Sequence, residues 1–225
     1  MDFKGKTISF LGDSITYGYG LKDNEKDRFS TIIENDCQLK EAYNYGVSGT
    51  RLAYQSKPSN PARHDLYFCG RAFSLFPADL IFVYGGVNDY LHGDAPLGVN
   101  TDKTPVTFYG ALEYLLTTLE QNYPDSRIAF ATPAHCYRQE YTDSQPSNDK
   151  RKGGEESRNP LYVYVEAIKE KCLEHNVPVL DLFNDFEINV NNKAQRDKYT
   201  TDGLHFNEAG HKALAERIKK FLKTL

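Results

Sequence analysis

The chain has 225 residues, 40% hydrophobic and 26% charged, a balance typical of soluble globular proteins rather than disordered or fibrous ones. Its formal net charge is −4 and its Lys and Arg are scattered, so neither nucleic acid nor an anionic membrane surface is an expected partner. No apolar run approaches the ~18 residues of a membrane-crossing helix, so no membrane span is expected.

The length suits one domain with a sizeable core, and residues 1–225 are expected to form it. The first residues show no charged segment leading into an apolar signal-like stretch. Cys37, Cys69, Cys136 and Cys172 are widely spaced and form no CxxC. Reduced buried thiols in a cytoplasmic protein are therefore expected, without a structural metal.

In chain order, five short apolar runs predict strands, at residues 7–11, 41–45, 80–84, 128–132 and 177–182. The third, Leu80-Ile81-Phe82-Val83-Tyr84, is continuously apolar, as a strand covered on both faces should be. Helical patterns lie between and after them. Residues 28–36 carry Phe29, Ile32 and Ile33, and residues 109–121 carry Leu112, Leu115, Leu116 and Leu119 on one face. A third helix follows Asn159-Pro160, with Asn159 as cap and Pro160 at the first helical position, and carries Leu161, Val165, Ile168 and Cys172. The last starts near Asn207, its expected cap, and buries Leu214, Ile218, Phe221 and Leu222.

Strands alternating with helices imply parallel pairing, because parallel neighbours need long crossovers. The expected fold is α/β: a three-layer α/β/α sandwich around a five-stranded parallel sheet. Ligands in such folds bind outside the carboxyl ends of the strands. Two loops leaving those ends are long, residues 47–78 and residues 137–158. Loops of that length are functional or disordered, and either could border a substrate. The cluster Lys150-Arg151-Lys152, followed by Glu155-Glu156, reads as solvated loop.

Four polar, glycine-bearing segments follow strand ends: Gly12-Asp13-Ser14-Ile15, Asn44-Tyr45-Gly46-Val47-Ser48-Gly49, Gly86-Val87-Asn88-Asp89 and Asp202-Gly203-Leu204-His205. Each alone has a structural reading: Ser14 as a helix cap, Asn88-Asp89 or Asp202-Gly203 as a turn. Together, in this order, they resemble the four blocks of the SGNH hydrolases among the GDSL-type serine esterases and lipases. Ile15 stands where the eponymous string has Leu.

The resemblance implies a flavodoxin-like sheet and a serine esterase that needs no cofactor and no metal. Its expected substrate is a small-molecule acyl ester: short-chain or acetyl, of a carbohydrate or a lysophospholipid. It makes Ser14 the nucleophile, His205 the base and Asp202 the group that orients the base. The Ser14 and Gly49 backbone N–H groups and the Asn88 amide would form the oxyanion hole. Asp13 and Asp89 would support their loops through backbone donors.

Other residues have plainer readings. His92 reads as a solvated loop histidine that could also line the pocket, and His211 has no assigned role. Tyr17, Tyr19 and Tyr54 could line a pocket or pack, and nothing marks Cys69 or Cys136 as reactive.

The chain shows no GxSxG for an α/β-hydrolase, no P-loop and no GxGxxG. Two alternatives stay open. One is a metal-dependent phosphoesterase built on Asp13, Asp89, Asp202 and His205, against which stands the lack of paired metal-ligand motifs. The other is a non-catalytic binding module on the same fold.

Overall fold

β1 (Thr7–Gly12) is buried along almost its whole length, and in β3 (Leu80–Tyr84) every residue is buried. Both sit mid-sheet, where helices cover each face and uninterrupted apolar sequence is accommodated. The computed structural model describes residues 3–138, 141–142 and 160–225. β2 (Glu41–Gly46), β4 (Arg127–Ala131) and β7 (Val179–Leu180) complete a five-stranded sheet of order β2-β1-β3-β4-β7, parallel throughout. A separate short hairpin pairs β5 (Tyr137–Arg138) with β6 (Tyr141–Thr142).

The helices are α1 (Ser14–Tyr17), α2 (Asn24–Asp27), α3 (Phe29–Asp36), α4 (Phe68–Arg71), α5 (Val87–His92), α6 (Phe108–Asn122), α7 (Leu161–Glu174), α8 (Leu182–Asp185), α9 (Lys193–Tyr199) and α10 (Glu208–Leu222). α3 packs with α10, while α4 and α7 both pack with α6. Right-handed crossovers put these two groups on opposite faces of the sheet, giving the three layers.

α6 is opened by the Thr107 hydroxyl, which accepts from the Gly110 N–H at 3.0 Å. It buries Ala111, Leu112, Leu115, Leu116 and Leu119 on one face, each leucine contributing about 1.5–3 kcal/mol of hydrophobic stabilisation. Asn207 caps α10 by accepting from the N–H groups of Ala209 and Gly210. On that helix Leu214, Ile218 and Leu222 are buried and Phe221 is half-buried.

Several local expectations need correction. Pro160 is the N-cap of α7, one residue before the first helical position, and Asn159 lies outside the described residues. The run 177–182 contributes only two residues to the sheet. Asp181 ends it by accepting from the Asn184 N–H and opening α8. Residues 47–78 are not plain loop: they hold two 3-10 turns, Ala62–Asp65 and Ala72–Ser74, and the single turn α4. Most of the loop 137–158 lies outside the described residues.

The sheet register positions the site. Gly12 pairs with both Gly46 and Tyr84, so β1, β2 and β3 end level and their loops leave one edge side by side. Connections diverge from this point to either side of β1, the crevice where doubly wound sheets bind ligands. Gly46 is required there: a Cβ would lie 2.2 Å from the Tyr17 backbone nitrogen, so only glycine lets α1 sit so close to β2.

Candidate active site

Ser14 opens α1, but its hydroxyl does not cap the helix. Asp13 does that, its carboxylate accepting from the Ile15 N–H at 3.0 Å. The Ser14 Oγ instead lies 2.9 Å from His205 Nε2, and His205 Nδ1 lies 2.8 Å from Asp202 Oδ2. The other Asp202 oxygen accepts from the backbone N–H groups of Leu204 (3.0 Å) and His205 (2.8 Å).

Burial pushes the Asp202 pKa up. The ring hydrogen bond and charge of His205, with the two backbone donors, outweigh it and hold the carboxyl well below the usual range. An ionised carboxylate only accepts, so the Asp202 contact places the proton on Nδ1. His205 Nε2 is then left to accept from the Ser14 hydroxyl.

Facing this chain of contacts are Gly49 and Asn88. Among the described residues neither the Ser14 nor the Gly49 N–H has a partner. Gly49 has φ +78°, and a Cβ there would meet the His64 ring at 2.1 Å, so the imidazole of His64 lies directly over this glycine. The Asn88 Nδ2 donates to the Thr50 carbonyl at 3.0 Å and lies 3.4 Å from an Asp13 oxygen, a length at which a hydrogen bond is weak. Its Oδ1 lies 3.1 Å from His92 Nε2.

Beneath the cleft the carboxylates tie loops together. Asp89 accepts from the N–H groups of Leu52 and Ala53, both at 3.0 Å. Burial raises its pKa to about 7 against these donors and the Arg51 charge. Burial likewise raises Asp13 to about 6, against the Ile15 N–H and the charges of His205 and Arg71. Arg71 donates to the carbonyls of Gly12 (3.0 Å) and Tyr45 and to the Thr50 hydroxyl (2.9 Å). Its own pKa is lowered by burial to about 10, so the guanidinium stays charged at neutral pH.

These residues surround a cleft of about 340 Å³ lined by Ser14, Gly49, Asn88, His92, Asp202 and His205, together with Tyr19, Ser48, Arg63 and His64. The Tyr19 ring lies 4.6 Å from that of His205. Tyr17 is not part of the lining, and Tyr54 packs against Tyr67. His92 is no solvated loop residue: it ends α5 and bonds into the site. Sequence reasoning missed Arg63 and His64, which no periodicity or motif marks, and gave no role to Ser48, although it stands beside Gly49 in the second of the four segments. It also missed Arg51 and Arg71, cations that a residue-type rule puts on the surface.

His211 lies behind the cleft, fully buried, with Nδ1 accepting from the Phe29 N–H at 3.2 Å. Burial first, and the charge of His205 second, lower its pKa to about 4 from 6.5. Between those values the unfolded chain holds a proton that the folded chain releases, so this histidine's contribution to stability falls as pH drops from 6.5 towards 4. The stability of the wild type relative to His211→Gln should therefore decrease by roughly 3 kcal/mol between pH 7 and pH 4. Urea titrations at the two pH values measure this, and an unchanged difference would refute it.

Among the described residues no three His, Cys, Asp or Glu side chains group to hold a metal ion. No described helix is long and apolar enough to cross a membrane.

The chain thus has an α/β fold, a five-stranded parallel sheet with a polar cleft at the carboxyl edge of β1 and β3. Residues 10–213 match the model of the GDSL-like Lipase/Acylhydrolase family. The chain belongs to that family and is an ester-hydrolysing enzyme of the GDSL/SGNH class. Among solved structures it is similar to a protein from Lactobacillus plantarum, with 31% identity over 98% of both chains and a TM-score of 0.82. It shares its fold with an acetyl xylan esterase (18% identity, 96% of this chain and 98% of that one, TM-score 0.62). The same holds for an aryl esterase of M. smegmatis (16% identity, 98% and 99%, TM-score 0.62). No curated protein sequence matches the chain.

Proposed function

We propose that the protein is a serine esterase that cleaves short-chain or acetyl esters of a small polar alcohol, such as a carbohydrate, through an acyl-enzyme on Ser14. The observation that carries this reading is the unbroken chain Ser14 Oγ–His205–Asp202, at 2.9 and 2.8 Å. Ser14 Oγ attacks the acyl carbonyl while its proton passes to His205 Nε2, and Asp202 steadies the imidazolium. The resulting oxyanion takes the otherwise unpartnered N–H groups of Ser14 and Gly49 and the second amide hydrogen of Asn88. The alcohol then leaves with the proton from His205. Water, deprotonated by the same ring, attacks the acyl carbon and frees Ser14.

The lining supports a polar substrate. Among the described residues Leu91 and Leu204 are its only aliphatic members, which favours an acetyl or short acyl group over the long chain of a lysophospholipid. The fold shared with an acetyl xylan esterase points the same way. A cytoplasmic location is part of this proposal, supported by four cysteines that are all free thiols.

A fluorophosphonate probe tests the chemistry. Intact mass and peptide mapping should find one adduct, on Ser14, absent from Ser14→Ala and slowed in His205→Ala. A folded sample that takes up no probe, or takes it up elsewhere, would overturn the assignment.

A further inference from the structure

We infer that His92 is a positioning residue for the oxyanion site, acting through Asn88. This rests on the reading of Asn88 as an oxyanion donor. Arg51 is buried, and its Nη1 lies 3.3 Å from His92 Nδ1. A guanidinium can only donate, so Nδ1 accepts and the ring proton is on Nε2. Nε2–H then donates to Asn88 Oδ1 at 3.1 Å. The same amide donates through Nδ2 to the Thr50 carbonyl at 3.0 Å, which fixes its nitrogen and oxygen independently of His92; its second hydrogen, with an Asp13 oxygen only at 3.4 Å, is left for the oxyanion. Every donor in this chain of contacts meets an acceptor with a single assignment of tautomer and amide orientation.

Arg51 is itself held firmly. Its Nη2 meets Asp65 at 3.1 Å, the His64 carbonyl at 3.3 Å and the Ser59 hydroxyl. Asp65 also accepts from the Ser59 N–H (2.8 Å) and the Tyr67 hydroxyl (2.7 Å). The segment between β2 and β3 thus braces both sides of the oxyanion site: the His64 ring covers Gly49, and Arg51 sets His92 against Asn88. Donation to Oδ1 holds the amide plane and draws charge from it, making the Nδ2 hydrogens better donors where negative charge develops.

Two substitutions separate this role from simple packing. Asparagine at position 92 reaches about as far as Nδ1 and can keep the Arg51 contact, but it falls short of Asn88. Glutamine reaches both, with an oxygen for Arg51 and an N–H for Asn88. With p-nitrophenyl acetate, His92→Asn should lower kcat about 10- to 100-fold with KM little changed, while His92→Gln should recover most of the loss. Combined with Asn88→Ala, His92→Asn should cost nothing further, because its effect passes through the amide that is gone. Thermal melts confirm that each variant folds, and if His92→Asn does not, the glutamine variant alone must keep near-wild-type kcat.

Wild-type kcat in His92→Asn, a loss confined to KM, an equally low His92→Gln, or a full additional loss in the double variant would each overturn the inference. Retained activity in Ser14→Ala would instead sink the serine-esterase reading on which it stands.

Discussion

Ser14→Ala should fold as the wild type does and lose at least about 10³-fold in turnover. The fold is expected to survive because the hydroxyl contacts only His205, and the cap of α1 is supplied by the Asp13 carboxylate. Activity should collapse because, among the described residues lining the cleft, no other hydroxyl or thiol lies against His205 Nε2: Ser48 has no bond to that ring, and the tyrosine at position 19 packs its ring on it. Steady-state rates with p-nitrophenyl acetate, set beside a thermal melt of the same sample, measure both halves. A folded Ser14→Ala with wild-type turnover would remove the nucleophile from the mechanism.

Asn88→Ala should reduce kcat by about 10²–10³ and leave KM nearly unchanged, since an oxyanion donor acts on charge that exists only in the transition state. A structural cost accompanies it. The variant loses the 3.0 Å bond to the Thr50 carbonyl and leaves that acceptor in a buried setting, so Tm should fall as well. The two effects are separable, because substrate binding at the cleft mouth does not need the amide while turnover does. An effect on KM alone would show that Asn88 grips the substrate rather than the developing oxyanion.

The central strands were legible because burial on both faces leaves an uninterrupted apolar run, as in Leu80–Tyr84. Asp13, Ser14 and Asn88 stood out because polar residues clustered beside glycines directly after such runs; Asp202 and His205 instead follow α9, well beyond the end of β7, and stood out by their spacing around Gly203. The segment between β2 and β3 was not legible, for physical reasons. Its three helical turns are three or four residues long, too short for a 3.6-residue repeat to appear. Its organising groups are also arginines: Arg51 and Arg71 act through donors that reach carbonyls, hydroxyls and a carboxylate far along the chain, and no local pattern encodes such partners. His92 was misread for a related reason. Tyr90-Leu91-His92-Gly93 looks like a loop until α5 is seen to run to His92, aiming the ring back one turn at Asn88.

Arg71 bears on how the enzyme comes into being. Its guanidinium joins the carbonyl end of β1, the end of β2 and the loop carrying Thr50, partners lying 59, 26 and 21 residues away along the chain. The clasp can close only once these three segments lie side by side, an arrangement the pairing of β1 with β2 and β3 must first bring about. A chain with its sheet largely formed but this clasp still open has helices and a core, yet the loops carrying Ser14 and Gly49 are not held against each other. Recovery of catalysis on refolding should therefore lag behind recovery of secondary structure.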